Sequence, residues 1–205
     1  MRQRANPRHP LERLKTFGLT GGIGMGKSTA ANLLRGRGLP VVDTDDLARQ
    51  LVEPGQPALQ EIRQTFGAEM TDSAGRLLRS ELARLVFRDA GARRQLEGIL
   101  HPRIRDLWQQ EVEQWGAAGC DRGVVVIPLL FETAAAPLFD AVICVACSAG
   151  SQRRRLQQRG WDARQIRQRL DAQWPVEKKM ELSHYVVWTE GEEDNQGRQL
   201  GRILG

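Results

Sequence analysis

The segment Gly21-Gly22-Ile23-Gly24-Met25-Gly26-Lys27-Ser28 has the residue types and spacing of a phosphate cradle, G-x-x-x-x-G-K-[ST]. Glycines let consecutive N–H groups turn inward around an anion, and a helix opening at the end of the loop adds its positive pole. Lys27 would then reach the β- and γ-phosphates of a nucleoside triphosphate, and the Ser28 hydroxyl would ligate Mg²⁺. The flanks suit this reading. Residues 16–20 look like a short strand, and residues 28–34 a helix carrying Thr29 in its first turn and Leu33 and Leu34 on an apolar face.

Two other groups have chemistry that phosphoryl transfer requires. Val42 is followed by Asp43-Thr44-Asp45-Asp46, and a carboxylate there can accept a hydroxyl proton or hold a metal-bound water. The same acids suit a helix start, one as the cap and the others opposing the dipole. Position alone leaves Asp43 and Asp45 equivalent. Arg155 and Arg159 lie four apart on one helix face, where they can neutralise charge developing on transferred oxygens. The competing reading is a solvated basic surface, against which Leu156, Ile166 and Leu170 imply a packed helical pair that could serve as a mobile lid.

Such groups must be positioned by strands that end along one edge. Apolar segments at 16–20, 39–42, 124–127, 141–146 and 185–188 are separated by helical stretches, the pattern of a parallel sheet covered on both faces. Ligands in such sheets bind at the carboxyl ends of the strands, where the phosphate loop, the acidic cluster and the Pro128–Glu132 segment fall. Helical patterns at 46–52, 57–66, 80–87, 92–100 and 102–115 fill the gap between the second and third strands. Another pair, at 151–159 and 162–173, precedes the fifth.

The chain has 205 residues and a formal charge of +5. Arg2, Arg4, Arg8, Arg13 and Lys15 against Glu12 place +4 of this in residues 1–15, leaving a nearly neutral body. A nucleic-acid-binding protein is therefore disfavoured. The longest apolar run, 124–131, is far short of a membrane span, and no secretory core opens the chain; the expected location is cytoplasmic. Cys144 and Cys147 are three apart on a strand, on opposite faces, and read as ordinary buried thiols. The third strand lacks a terminal Asp, which sets the chain apart from motor and transporter ATPases. No Asn-Lys-x-Asp is present to read guanine. Asp72-Ser73-Ala74-Gly75 has the letters of a switch motif but no preceding strand. A small kinase remains.

The ordered motifs resemble those of the dephospho-coenzyme A kinase family from about residue 17 to the end. They comprise Gly18–Thr29, with Met25 where serine is usual; Val41-Val42-Asp43-Thr44-Asp45-Asp46-Leu47-Ala48-Arg49; Pro54-Gly55; and Phe66-Gly67. Gly75-Arg76-Leu77-Leu78-Arg79, His101-Pro102-Arg103-Ile104, Pro128-Leu129-Leu130-Phe131-Glu132, Gln152 through Arg159 and a late Gln173 complete the series. The resemblance implies transfer of a phosphoryl group from ATP to the ribose 3′-hydroxyl of dephospho-coenzyme A, the last step of coenzyme A synthesis. It favours Asp45 as the catalytic carboxylate and Arg155 and Arg159 as lid arginines. Arg49, Arg79 and His101 become acceptor-side candidates alongside Asp43, each with a salt bridge or helix-end role as the alternative.

The expected fold is α/β: a P-loop kinase with a five-stranded parallel sheet, helices on both faces, a helical acceptor-binding insertion and a lid. The expected divisions are a basic, disordered lead-in (1–15), a core (16–45 and 118–205), the insertion (about 46–117) and the lid (about 148–175). One departure from the family concerns the last strand, Ser183-His184-Tyr185-Val186-Val187-Trp188-Thr189-Glu190-Gly191, which lacks the Asp and Asn of the usual A-D-x-V-I-x-N-x-G.

Overall fold

A computed structural model describes residues 13–205; of the expected lead-in at 1–15, residues 1–12 lie outside the described residues. Five strands, β1 (Lys15–Gly21), β2 (Val41–Asp43), β3 (Arg122–Val126), β4 (Ala141–Ala146) and β5 (Tyr185–Trp188), form one sheet in the order β2-β3-β1-β4-β5. β1 is parallel to β3 and β4, and β4 to β5, with Leu19 opposite Val126 and Ile143. Strand β4 reads as an unbroken apolar run because both its faces are covered, every residue being buried.

Side-chain alternation sorts the sheet into two faces. Phe17, Leu19, Val124, Val126, Ile143 and Val187 pack against α1 (Lys27–Arg35) and the C-terminal helix α9 (Glu193–Leu204) through Ala30, Ala31, Leu34, Leu200 and Leu204. On the opposite face Gly18 leaves room for Leu130 and Phe139; a Cβ there would stand 2.5 Å from Leu130 Cδ1. The short helix α8 (Val176–Glu181) packs against β1 and β4. At the sheet edge Gln199 of α9 turns back to β5, its side-chain oxygen accepting from Trp188 N (2.9 Å) and its amide donating to Trp188 O (2.9 Å).

By compactness the chain divides into two units, residues up to Val42 with Val112–Gly205, and Asp43–Glu111. In the second, α2 (Thr44–Leu51), α3 (Pro57–Phe66), α4 (Arg79–Arg88) and most of α5 (Ala90–Ala117) enclose Val52, Ala58, Ile62, Leu82 and Ile99. The two helices expected at 92–100 and 102–115 are one helix with Pro102 inside it. Proline removes a backbone bond and crowds the preceding turn. Here Arg103 supports that turn, donating to Ile99 O (2.6 Å) and pairing with Glu61.

In the same unit Asp72 closes a turn on itself, accepting from Ala74 N and Arg76 N. The Arg76 backbone N–H, ahead of other contacts, holds its carboxyl below the usual range. This is turn chemistry, in keeping with the absence of a switch motif. The helices α6 (Ala149–Gln158) and α7 (Ala163–Asp171) form the pair expected before β5. Ser148 caps α6, and α7 opens with a capping box between Asp162 and Gln165.

Candidate functional site

The loop between β1 and α1 is shaped by its glycines. Gly24 and Gly26 have φ of 75° and 92°, where an L side chain is strained. No side chain caps α1, so its first N–H groups are left to an anion. The Lys27 ammonium lies over the loop, donating to Gly21 O (2.8 Å) and Gly22 O (3.0 Å). Ser28 is exposed beside it and Thr29 half-buried.

Met25, in the place where the family has serine, is 2% exposed and packs with Ala146, Cys147, Val176 and Met180. The loop thus has an apolar anchor on α8. Met25→Ser is expected to destabilise the protein by about 2 kcal/mol or more, the range for emptying a buried methionine site; denaturant unfolding reads it as a lowered midpoint with an unchanged slope. Cys144 and Cys147 are buried free thiols, and burial pushes Cys144 up to about 11.

Two glutamines hold Ile23 from both sides. Gln152 of α6 donates to Ile23 O (2.8 Å), and Ile23 N donates to Gln173 Oε1 (3.1 Å). Arg155 and Arg159 line a cavity of about 380 Å³ with Gly24, Gly26, Thr29 and Thr189. Arg155 Nη1 donates to Thr189 Oγ1 (3.0 Å) and Nη2 to Thr189 O, and Thr189 Oγ1 donates onward to Met25 O (3.0 Å). Two of the guanidinium's five N–H groups are used in this way, leaving three for an incoming anion.

These contacts account for the unusual last strand. Thr189, in the place of the family's Asn, joins β5 to the loop. His184, in the place of the Asp, accepts the Val142 amide at Nδ1 (3.1 Å), a bond that a carboxylate could also accept. Beside them, Glu190 is held down at about 2, first by the Ser148 hydroxyl, then by Ser151 and the Trp188 indole. A carboxylate depressed in the folded state stabilises it above the ordinary value near 4.5, and that contribution disappears as pH falls through about 2. Glu190→Gln is expected to flatten the stability profile across that window. Urea unfolding at successive pH values checks it; an unchanged acid limb would show that Glu190 adds nothing.

In the second unit Asp43 caps α2, its carboxylate accepting from Asp45 N (2.9 Å). Asp45 is exposed in the first turn, its carboxylate in no hydrogen bond or ion pair among the described residues. Asp46 pairs with Arg49, and Arg79 donates to Arg49 O (3.5 Å). His101 is exposed on α5, one residue before Pro102. Asp43, Asp45, Arg49 and Arg79 are thus grouped around α2 and the start of α4, whereas His101 has no hydrogen bond or ion pair to that group. Sequence reasoning assigned no role to Gln152, Gln173, Thr189, Glu132 or Lys179. Glu132, Gln152 and Gln173 stand in the motifs of the resemblance and Thr189 in the altered last strand, while nothing signals Lys179.

Comparison with known proteins gives the family. A model of the dephospho-CoA kinase family matches residues 15–195. A dephospho-CoA kinase from Anaeromyxobacter dehalogenans is 44% identical over 192 residues, 93% of this chain and 91% of that protein. Another, from Bdellovibrio bacteriovorus, is 37% identical over 93% of this chain and 95% of the relative. Among solved structures, TT1252 from Thermus thermophilus superposes with a TM-score of 0.82 at 34% identity, covering 94% of this chain and 97% of that one. A dephospho-CoA kinase from Campylobacter jejuni, at 20% identity, shares the fold with a TM-score of 0.62 over 93% and 96% of the two chains.

Proposed function

Since the chain belongs to the dephospho-CoA kinase family, we propose that it transfers the γ-phosphoryl group of ATP to the ribose 3′-hydroxyl of dephospho-CoA, giving CoA. The observation that carries the donor half is the phosphate loop, with Lys27 laid across its carbonyls and an uncapped α1 behind it. The loop from Gly21 to Gly26 and the amides of Lys27, Ser28 and Thr29 hold the donor phosphates.

Mg²⁺ suits the donor set. It keeps several waters and takes substrate phosphates, so one hydroxyl ligand is enough; the described residues contain no cluster of three or more His, Cys, Asp or Glu that would form a cage for a metal ion. Ser28 would supply that hydroxyl, and the ion would supply neutralisation of phosphate charge.

Asp45 orients the 3′-hydroxyl and takes its proton. Arg155, with Arg159, neutralises charge on the transferred group from α6, and α6 and α7 act as the lid. Arg49 and Arg79 are cations that suit an acceptor's phosphates, with His101 as a further acceptor-side donor. Asp43 acts by capping α2 and thereby aiming Asp45. Among the described residues no helix is long and apolar enough to cross a membrane; the site of action we propose is the cytoplasm.

The test is to incubate the protein with Mg²⁺-ATP and dephospho-CoA and follow the thiol product by mass spectrometry. A gain of one phosphoryl group with equimolar ADP is the expected result. Turnover of a nucleoside monophosphate without turnover of dephospho-CoA would overturn the acceptor assignment.

A further inference from the structure

The most deeply buried charge among the described residues lies in the segment that returns from the helical pair to β5. Lys179 of α8 is fully buried, its ammonium donating to Glu132 (2.8 Å) and Pro128 O (2.9 Å). The same Glu132 oxygen accepts from Trp174 N (2.9 Å). The other, Oε2, is buried with no hydrogen-bond partner. Thr20, the residue before the phosphate loop, also donates to Pro128 O (3.2 Å).

A buried ion pair with one orphaned oxygen is a poor way to gain stability, because desolvation and the unmet acceptor both oppose folding. Its geometry, however, joins two things. Trp174 directly follows Gln173, whose side chain holds the Ile23 amide of the loop. The carboxylate therefore fixes the residue that places Gln173, while Lys179 ties the carboxylate to Pro128 O, the carbonyl that Thr20 near the end of β1 also reaches.

We propose that Glu132 and Lys179 are positioning residues for ATP binding. They pin the return stem of the lid at Trp174, so that Gln173 keeps the Ile23 peptide, and with it the phosphate loop, in its binding shape. Gln152 completes the grip from the outgoing stem. The helical pair then moves about a base fixed at both ends on a single loop residue. This inference rests on the ATP reading of the loop and is independent of the acceptor.

The test measures binding of Mg²⁺ with β,γ-imido-ATP by calorimetry, together with the melting temperature, on two double variants. Glu132→Leu/Lys179→Met replaces the pair with apolar groups and leaves Trp174 N without its acceptor. Glu132→Gln/Lys179→Met also removes the charges but keeps a side-chain oxygen for Trp174 N. The first is expected to weaken binding about tenfold or more while remaining folded; the second should stay within about threefold of the parent. Parent-like binding by the folded Leu/Met protein, or equal weakening of both variants, would overturn the proposal. Should the Leu/Met protein fail to fold, Gln173→Met answers the same question at a half-buried position: weakening of about tenfold supports the grip and unchanged binding refutes it. A parent protein that fails to bind the analogue refutes the ATP reading itself, an outcome distinct from loss in the variants alone.

Discussion

Asp45→Asn is expected to lower kcat with dephospho-CoA by about 10²- to 10⁴-fold, the range for removing a general base, with KM for ATP changed less than about twofold. Asparagine keeps the size and polarity of the first-turn residue, and Asp45 makes no side-chain contact among the described residues that the change would break. Folding should therefore be untouched. Asp43→Asn is the informative control. Asparagine caps helices as well as aspartate does, so this neighbour should retain activity within a few-fold while preserving the bond to Asp45 N (2.9 Å). Steady-state kinetics on both variants separates the roles that position alone left equivalent. Equal losses would mean that the cluster acts as a unit, and a silent Asp45 variant would remove it from the mechanism.

Lys27→Ala should cost about 10³-fold in kcat/KM for ATP, by losing both charge on the donor phosphates and a point of transition-state stabilisation. The ammonium spans two consecutive carbonyls, Gly21 O and Gly22 O. A lysine can exchange such partners for phosphate oxygens because its three donors rotate on a flexible stem. Lys27→Arg should therefore rescue little, since a planar fork cannot replace a compact ammonium in a loop this tight. Measuring ATP affinity and single-turnover rate separately divides the loss into binding and chemistry. An arginine variant with near-parent rates would mean that charge alone suffices.

The physics of burial explains what could be read before the structure. β4 matches its expected range of 141–146 to the residue, because a strand covered on both faces is a continuous apolar run; β5 matches at 185–188 as an apolar run although three of its four residues are exposed. The phosphate loop is legible because its chemistry is local: glycines, a lysine and a serine within eight positions. The α8 helix was not anticipated. Its sequence Val-Glu-Lys-Lys-Met-Glu looks solvated, and nothing local says that Lys179 is buried while Lys178 lies over the Trp174 ring. Pro102 misled in the opposite sense, since the arginine that supports a continuous helix finds its partner Glu61 on α3. The glutamine grip on Ile23 joins residues 129 and 150 positions apart, a pairing that spacing cannot reveal. The unusual last strand was visible as a departure, yet its sense came only from the partners of His184 and Thr189.

The turn of Gln199 back onto Trp188 has a consequence for the protein at high concentration. β5 is an edge strand with Tyr185, Val186 and Trp188 more than two-fifths exposed, the kind of edge on which a foreign strand can add. The side-chain amide of Gln199 occupies the N–H and the carbonyl of Trp188 as a neighbouring peptide would. The C-terminal helix thus supplies a decoy for the missing strand, and Gln199→Ala is expected to promote self-association in concentrated solution, read by light scattering, through a residue far along the chain from any that would handle phosphate.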